Sequence, residues 1–533
     1  MLEFETLYSL VQKKALAEPE LTAFVSGNKR YSYHQLLYFI DRASDMFWRL
    51  KIRKNDKVAI VLKNSIEFII SYFALSKIGA ISVPINFLIS SQKEIEFMLS
   101  NSHSKGVVTE TDFLKNYIKM PKKIPELEFI LCVGDSPEKG ALNFWKCLHS
   151  AHYYPETHKE KSVPNDLISV LYTSGTTGNP KGVMLTHCNL ISNVTAAAKV
   201  IHSKENDVFM CLLPMFHTLA WTTNVILPIY LGTKTLIIRN ITPPKKWLNE
   251  MGKEGVSIMV AIPQIYSLLA KEKGLKKIFL KYWAFRNLRL CISGAAPLSN
   301  RIKRDFEKTF KVHLLEGYGL TETSPVVSVN HPKDKKEGSV GRPLPGVQIK
   351  IVDEQSRILK PGEEGEICVK GPNVTAGYYA DETATTELFT EDGWLKTGDI
   401  GIVDHEGFLF IKDRKKDMII SKGLKVFPAQ IENLLNMHPK VRESAVVGLP
   451  HGKDDDEVIK CYCVPKENVT LEKEEIQRFI KENLDVYKRP KEIEIVKSLP
   501  KNTLQKVLKH HLKEQELAKQ RPGTHEKHHK NSN

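Results

Sequence analysis

Tyr172 to His187 reads YTSGTTGNPKGVMLTH, crowding hydroxyl residues, three glycines and one lysine into a single turn region. That composition makes a polyphosphate cradle. Glycine lets backbone N–H groups converge on phosphate oxygens, hydroxyls add neutral donors, and Lys181 supplies a mobile positive charge. The preceding LISVLY alternates like a strand, and the β-branched content of Val183 to Thr186 predicts a second strand after the loop. A Walker loop is excluded. There the lysine precedes Ser or Thr at the start of a helix, whereas here Gly182 follows Lys181 and a strand follows both.

The chain of 533 residues exceeds one compact core, so two or more domains are expected. Its hydrophobic and charged fractions, 42% and 26%, are those of an ordinary globular protein. A formal charge of +15 suits a polyanionic partner such as a nucleotide, CoA, an acidic carrier protein or an anionic membrane face. Nucleic acid is not expected, since neither zinc-finger spacing nor the aromatic-glycine stripe of an RNA-binding sheet occurs. Eight cysteines without CxxC spacing point to a reducing compartment. MLEFETLYSL carries acids where an export signal would carry bases, so no export is expected. The most apolar stretch, Phe68 to Ile89, is broken by Lys77, Gly79 and Pro84 and does not read as a membrane span.

Between Lys57 and Asn86 the pattern KVAIVL, IEFIISYFALSKIGA, ISVPIN predicts strand, helix, strand. Such units imply an α/β architecture of sheets flanked by helices, and they recur through LIIRN, the helical Pro263 to Lys273 region and LRLCISG. From about 338 to 412 short alternating segments predict a β-rich subdomain closing a large domain over 1–412. DRKKD, 413–417, reads as a hinge, followed by a small α+β domain over 418–517 and a disordered basic tail over 518–533.

Three further segments carry chemistry. EGYGLTETSP, Glu316 to Pro325, sets an aromatic between glycines and a carboxylate within one bend, able to face a flat ring and to hold a hard cation through oxygen. ISGAAP, Ile292 to Pro297, is a strand ending in small residues that let backbone approach a ligand. LLPMFHTLAW, Leu212 to Trp221, holds His217 and Trp221 four apart, on one face if helical, in a stretch without a carboxylate.

Together with KTGD at Lys396 to Asp399 and LPKNTLQKVLKHHL at Leu499 to Leu512, these motifs resemble, in order, those of the adenylate-forming superfamily. That superfamily includes acyl-CoA synthetases, peptide-synthetase adenylation domains and firefly luciferase. The resemblance runs from about residue 10 to 512 and looks nearest to the long-chain fatty-acid–CoA ligases. It implies a nucleotide site made of Thr173, Ser174, Gly175, Thr176, Thr177, Gly178 and Lys181; Ser293, Gly294 and Ala295; Glu316, Gly317, Tyr318, Gly319 and Thr321; and Asp399 with Arg414. Within it Tyr318 lies against adenine, Thr321 contacts the α-phosphate, Glu322 and Thr173 hold Mg²⁺, and Asp399 backed by Arg414 grips the ribose diol. Lys416 matches the pivot residue and Gly423 the thiol-channel loop, and Lys506 matches the lysine that reaches back into the site, although Gln505 stands where the family has glycine. His217 and Trp221 match an acyl gate.

The resemblance therefore implies ATP-dependent activation of a medium-to-long-chain fatty acid through acyl-AMP, then thioester formation with CoA. Lys506, Glu322, Thr321, Lys181 and His217 are the expected catalytic set, with Mg²⁺ as cofactor and ATP and CoA as cosubstrates. A holo acyl carrier protein is the alternative acceptor. A non-catalytic ligand sensor is the reading from another class. A cytoplasmic protein, with peripheral contact on the inner membrane face, fits the charge.

Overall fold

The computed structural model describes residues 5–134, 139–151, 162–173, 179–421, 424–450, 457–501 and 506–520. The chain divides into two compact units, Met1–Thr397 with Ile402–Phe410, and Gly398–Gly401 with Ile411–Asn533. It crosses between them within the strands Leu395–Val403 and Leu409–Arg414.

The larger unit is α/β and holds two extended sheets. A seven-stranded sheet runs Leu142–Asn143, Phe129–Val133, Ser104–Glu110, Lys57–Val61, Ile81–Pro84, Leu167–Thr173, Lys181–Thr186. A nine-stranded sheet runs Arg342–Pro343, Val326–Val329, His313–Gly319, Leu290–Ser293, Ile258–Ala261, Val208–Cys211, Lys234–Ile237, Thr22–Ser26, Lys29–Ser32. The strand-helix-strand pattern after Lys57 forms as the apolar periodicity predicts. Lys57–Val61 pairs in parallel with Ile81–Pro84, and the intervening helix Ile66–Lys77 starts at Ser65, whose hydroxyl accepts Phe68 N–H at 3.3 Å. Fully buried strands such as Ile258–Ala261 read as unbroken apolar runs because helices cover both faces.

Asn64 ties the two sheets. It follows the strand Lys57–Val61, is 4% exposed, donates through Nδ2 to Leu213 O at 2.9 Å and Ile238 O at 3.1 Å, and accepts Met215 N–H at 2.8 Å. The segment leading to His217 is thereby held by one side chain from the other sheet.

The smaller unit carries a sheet ordered Val441–Pro450, Glu457–Pro465, Glu492–Ile495, beside helices Pro428–Leu435, Lys473–Asn483 and Lys509–Gln520. Its core gathers Ile419, Ile431, Leu435, Val446, Cys461 and Ile476. The last helix spans Lys509–Gln520, and its Leu512 is buried in a second small core with Leu449 and Leu499. All eight cysteines are free thiols, and no helix among the described residues is long and apolar enough to cross a membrane.

Asn64→Ala leaves three backbone groups without their partner, each costing about 1–3 kcal/mol if unpaired. We expect a clearly lower melting temperature for the full chain, measured by thermal unfolding, and an unchanged midpoint would show that Asn64 does not bear the sheet contact.

Candidate active site

Strands Leu167–Thr173 and Lys181–Thr186 pair antiparallel with Thr173 opposite Lys181, so the loop between them begins and ends at one point on the sheet. Thr173 Oγ1 donates to Lys181 O at 3.4 Å across that point. Ser174, Gly175, Thr176, Thr177 and Gly178 lie outside the described residues, as does Gly423.

Residues 377–379 lie along the other side of Lys181–Thr186. Val183 bridges Tyr378, Met184 N–H donates to Gly377 O at 3.0 Å, and Tyr379 N–H donates to Gly182 O at 2.7 Å. This backbone pairing sets the Tyr378 ring 5.1 Å from Lys181 Nζ, within cation–π reach. The Tyr378 hydroxyl donates to Glu322 Oε1 at 2.9 Å. Lys181, Tyr378 and Glu322 form a connected line. Nothing in the local pattern of AGYYAD singled out Tyr378; only its register against Val183 does.

Glu322 and Thr321 sit in a single 3-10 turn, Thr321–Thr323, and both are half-buried. The turn is held by one side-chain amide and one backbone N–H. Asn373 Nδ2 donates to Thr323 O at 2.8 Å, and Thr375 N–H donates to Glu322 O at 2.8 Å. Helix His187–Ile201 supplies two more amides: Asn189 Nδ2 donates to Pro372 O and Val374 O, both at 2.8 Å, and Asn193 Nδ2 donates to Val326 O at 2.7 Å. Asn189 and Asn193 escaped the sequence reading, although two amides four apart share one helix face and are a legible signal.

The expected adenine-side residues come together on adjacent strands. Ser293 pairs in register with Glu316, and Gly294 N–H donates to Ala261 O at 3.2 Å. Ser293 Oγ is buried with no hydrogen-bond partner among the described residues. Ala295 holds a left-handed φ of +67°, an uncommon conformation for a residue with a Cβ. Gly319 admits no side chain, because a Cβ there would come within 1.9 Å of Pro325 O. Gly317 and Tyr318 complete the strand His313–Gly319. Glu316 is buried and accepts Leu298 N–H at 3.1 Å; burial pushes its carboxyl up to about 7.

His217 caps the short helix Thr218–Trp221, and Trp221 N–H donates to His217 O at 3.0 Å. Burial lowers the imidazole to about 4, so at neutral pH it is an uncharged hydrogen-bonding group, and Nε2 has no partner among the described residues. Trp221 is 2% exposed and packs against Tyr72, Phe68 and Phe73, with ring centroids 4.3, 5.3 and 5.8 Å away. A π-helical segment, Thr222–Ile226, follows directly.

In the smaller unit Arg414 Nε meets Asp399 Oδ1 at 2.7 Å, with Asp399 almost fully buried. Lys506 lies in the same charge neighbourhood. Desolvation by the protein packed around it lowers its ammonium to about 8 although the residue keeps solvent access, with Arg414 and Lys416 pushing the same way against Asp399 and Asp417. Lys416, beside Asp417 and Arg414, is also lowered, chiefly by desolvation. A residue absent from the sequence reading anchors this region. Lys509 Nζ pairs with Glu432 at 2.9 Å; burial opposes its charge, but Glu432 and Asp413 outweigh that and raise it. Asp413 accepts the backbone N–H of Ala429 at 2.7 Å and of Arg414 at 2.8 Å, fixing where Arg414 leaves the chain.

A metal fits this donor set. Among the described residues no three His, Cys, Asp or Glu side chains converge, which disfavours an all-protein cage, whereas Mg²⁺ needs only one or two carboxylates beside phosphate oxygens. Glu322, hydrogen-bonded by Tyr378, would supply one such carboxylate.

The family model for the AMP-binding enzymes matches residues 11–379, and the model of their C-terminal domain matches residues 430–506. The chain belongs to the AMP-binding enzymes. This is the adenylate-forming resemblance carried by the loop at Tyr172. A long-chain-fatty-acid–CoA ligase of Escherichia coli O6:H1 is 34% identical over 498 residues, covering 88% of this chain and 87% of the relative. In structure, the anthranilate CoA ligase AuaEII in complex with anthranoyl-AMP superposes with a TM-score of 0.89 at 25% identity, covering 96% of this chain and 98% of that one. ATP-bound MatB from Rhodopseudomonas palustris gives 0.87 at 28% identity, with the same coverage.

Tyr378→Phe removes a hydrogen bond to a charged carboxylate, worth about 1.5–3 kcal/mol. ATP–pyrophosphate exchange is expected to fall at least about tenfold and to need more Mg²⁺ for half-saturation. A magnesium titration of the variant that overlays the parent would separate the Tyr378–Glu322 hydrogen bond from magnesium use.

Proposed function

We propose that the protein is an AMP-forming acid–CoA ligase that activates medium-to-long-chain fatty acids. The observation that carries this reading is the line Lys181–Tyr378–Glu322, a cation and an oriented carboxylate at the base of a hydroxyl- and glycine-rich loop. In the first half-reaction a carboxylate oxygen of the acid attacks the α-phosphorus of ATP and pyrophosphate leaves, giving acyl-AMP. Lys181, Thr321 and Lys506 counter the charge that grows on the phosphoryl oxygens. Tyr318 faces adenine, and Asp399 with Arg414 receives the ribose. Mg²⁺, held by Glu322, by Thr173 and by the phosphates, supplies further charge neutralisation when bound. In the second half-reaction the CoA sulfur attacks the acyl carbonyl carbon, and AMP departs with the oxygen that came from the acid. Rotation about Lys416 exchanges Lys506 for the loop around Gly423 between the two steps.

A fatty acid is favoured over a polar acid by the segment Leu212 to Trp221, which offers no carboxylate to an amino group. It is also favoured by the aromatic wall of Phe68, Tyr72, Phe73 and Trp221. His217, uncharged through burial, can hydrogen-bond the reacting carboxyl without neutralising it. Each methylene buried along such a wall contributes about 0.8 kcal/mol, so chain length has a physical basis for selection. A panel of acids of graded length, with CoA and with holo carrier protein as acceptors, tests substrate and acceptor together. Greater turnover with the carrier protein would reassign the acceptor.

Lys506→Ala is expected to abolish adenylate formation while sparing thioester formation from pre-made acyl-AMP. Because the free-enzyme ammonium is lowered to about 8, kcat/KM for adenylation should decline as pH rises through about 8, the direction in which the cation is lost. Lys506→Arg, which stays protonated, should remove that decline. Equal loss in both half-reactions, or a basic limb that survives in the arginine variant, would remove Lys506 from the phosphate chemistry.

Trp221→Ala empties a packed aromatic site and is expected to destabilise by about 3–5 kcal/mol. If Trp221 also closes the acyl path, kcat/KM for long acids should change more than for short ones at a temperature where both proteins are folded. A uniform loss across the panel would confine Trp221 to packing.

A further inference from the structure

Residues 271–286 read KEKGLKKIFLKYWAFR, with five lysines, one arginine and a single acid. The segment folds as a helix, Gly274–Phe279, that continues through a π segment, Leu280–Ala284. One side is bolted to the larger unit by Leu280, Ala284 and Phe285, all buried in the core that includes Trp247, Met251 and Phe306. The other side faces water with large apolar groups. Leu275 is 84% exposed, Ile278 54% and Tyr282 67%, and their spacing of three then four residues places them on one face. Trp283 adds an exposed edge, and its indole N–H donates to Asn249 at 3.2 Å. The cations frame this stripe: Lys281 lies 5.2 Å from the Tyr282 ring and Arg286 4.8 Å from the Trp283 ring. The single acid, Glu272, reaches only Lys276, at 3.7 Å.

We propose that this face docks on an anionic lipid bilayer, with Leu275, Ile278 and Tyr282 entering the headgroup–acyl boundary and the surrounding cations pairing with lipid phosphates. A contiguous exposed stripe of this kind calls for a partner. Its chemistry selects the partner: aliphatic and aromatic side chains ringed by lysine match an interface that is apolar below and negatively charged above. Among the described residues only Lys276 of these cations pairs with an acid, so the face keeps a net positive charge that an anionic surface would complement. The docking stands apart from the catalytic reading, since none of these residues lies in the site at Lys181, Glu322 or Lys506.

The test uses the full chain and sedimentation with unilamellar vesicles of phosphatidylcholine, with and without phosphatidylglycerol, in the absence of substrates. The parent is expected to bind anionic vesicles, to release as salt rises, and to show quenching of Trp283 by lipids brominated on the acyl chains, with Trp283→Phe as reference. The combined variant Leu275→Ser, Ile278→Ser, Tyr282→Ser and the combined variant Lys276→Glu, Lys277→Glu, Lys281→Glu should each weaken binding by at least about tenfold. Both should keep the parent's melting temperature and its pyrophosphate exchange with a short water-soluble acid. Binding that is unchanged in either variant, or equal on neutral and anionic vesicles, overturns the proposal. So does a parent that ignores vesicles but self-associates through this face.

Discussion

The larger unit's site depends on three buried asparagine side chains. Asn189 and Asn193 on the helix that follows the phosphate-loop strand, and Asn373 beyond, satisfy backbone carbonyls of two loops far away in sequence, at 320–326 and 371–375. Each amide offers two donors and an acceptor in a fixed plane, and a buried carbonyl left without one costs more than the bond contributes. The loops carrying Glu322 and Tyr378 therefore have little freedom to drift from Lys181. An aliphatic side chain at those positions would fill the space but leave the loops unregistered.

The smaller unit solves a different electrostatic problem. It keeps several like charges close together: Arg414, Lys416 and Lys506 share a neighbourhood with Asp399 and Asp417, and Lys509 sits deeper with Glu432 and Asp413. The paired lysine, Lys509, is held charged and acts as an anchor, whereas desolvation brings Lys506 near neutrality's edge. Two lysines three residues apart thus have opposite tendencies, and the difference lies in their partners rather than in their type.

The α/β alternation was legible from Lys57 onward because parallel strands covered on both faces leave continuous apolar runs, and because Ser65 marks the helix start. The family was legible in the stretch at Tyr172 because few folding requirements call for so many donors beside a lysine. Tyr378, Lys509, Glu432 and the asparagine amides were not, since each acts through a partner tens to hundreds of residues away. The exposed stripe at Leu275 was likewise invisible: apolar residues at helical spacing ordinarily face a core, and only the structure shows which side the core occupies.

By itself, then, the sequence determined the kind of chemistry, through local motifs whose composition has few other uses, and the class of architecture, through the period of its apolar residues. Tertiary structure decided which charges are paired, which imidazole is neutral, where Trp221 packs and which apolar face is left to solvent. Those properties depend on burial and on distance between residues remote in the chain, and neither is encoded in any local pattern.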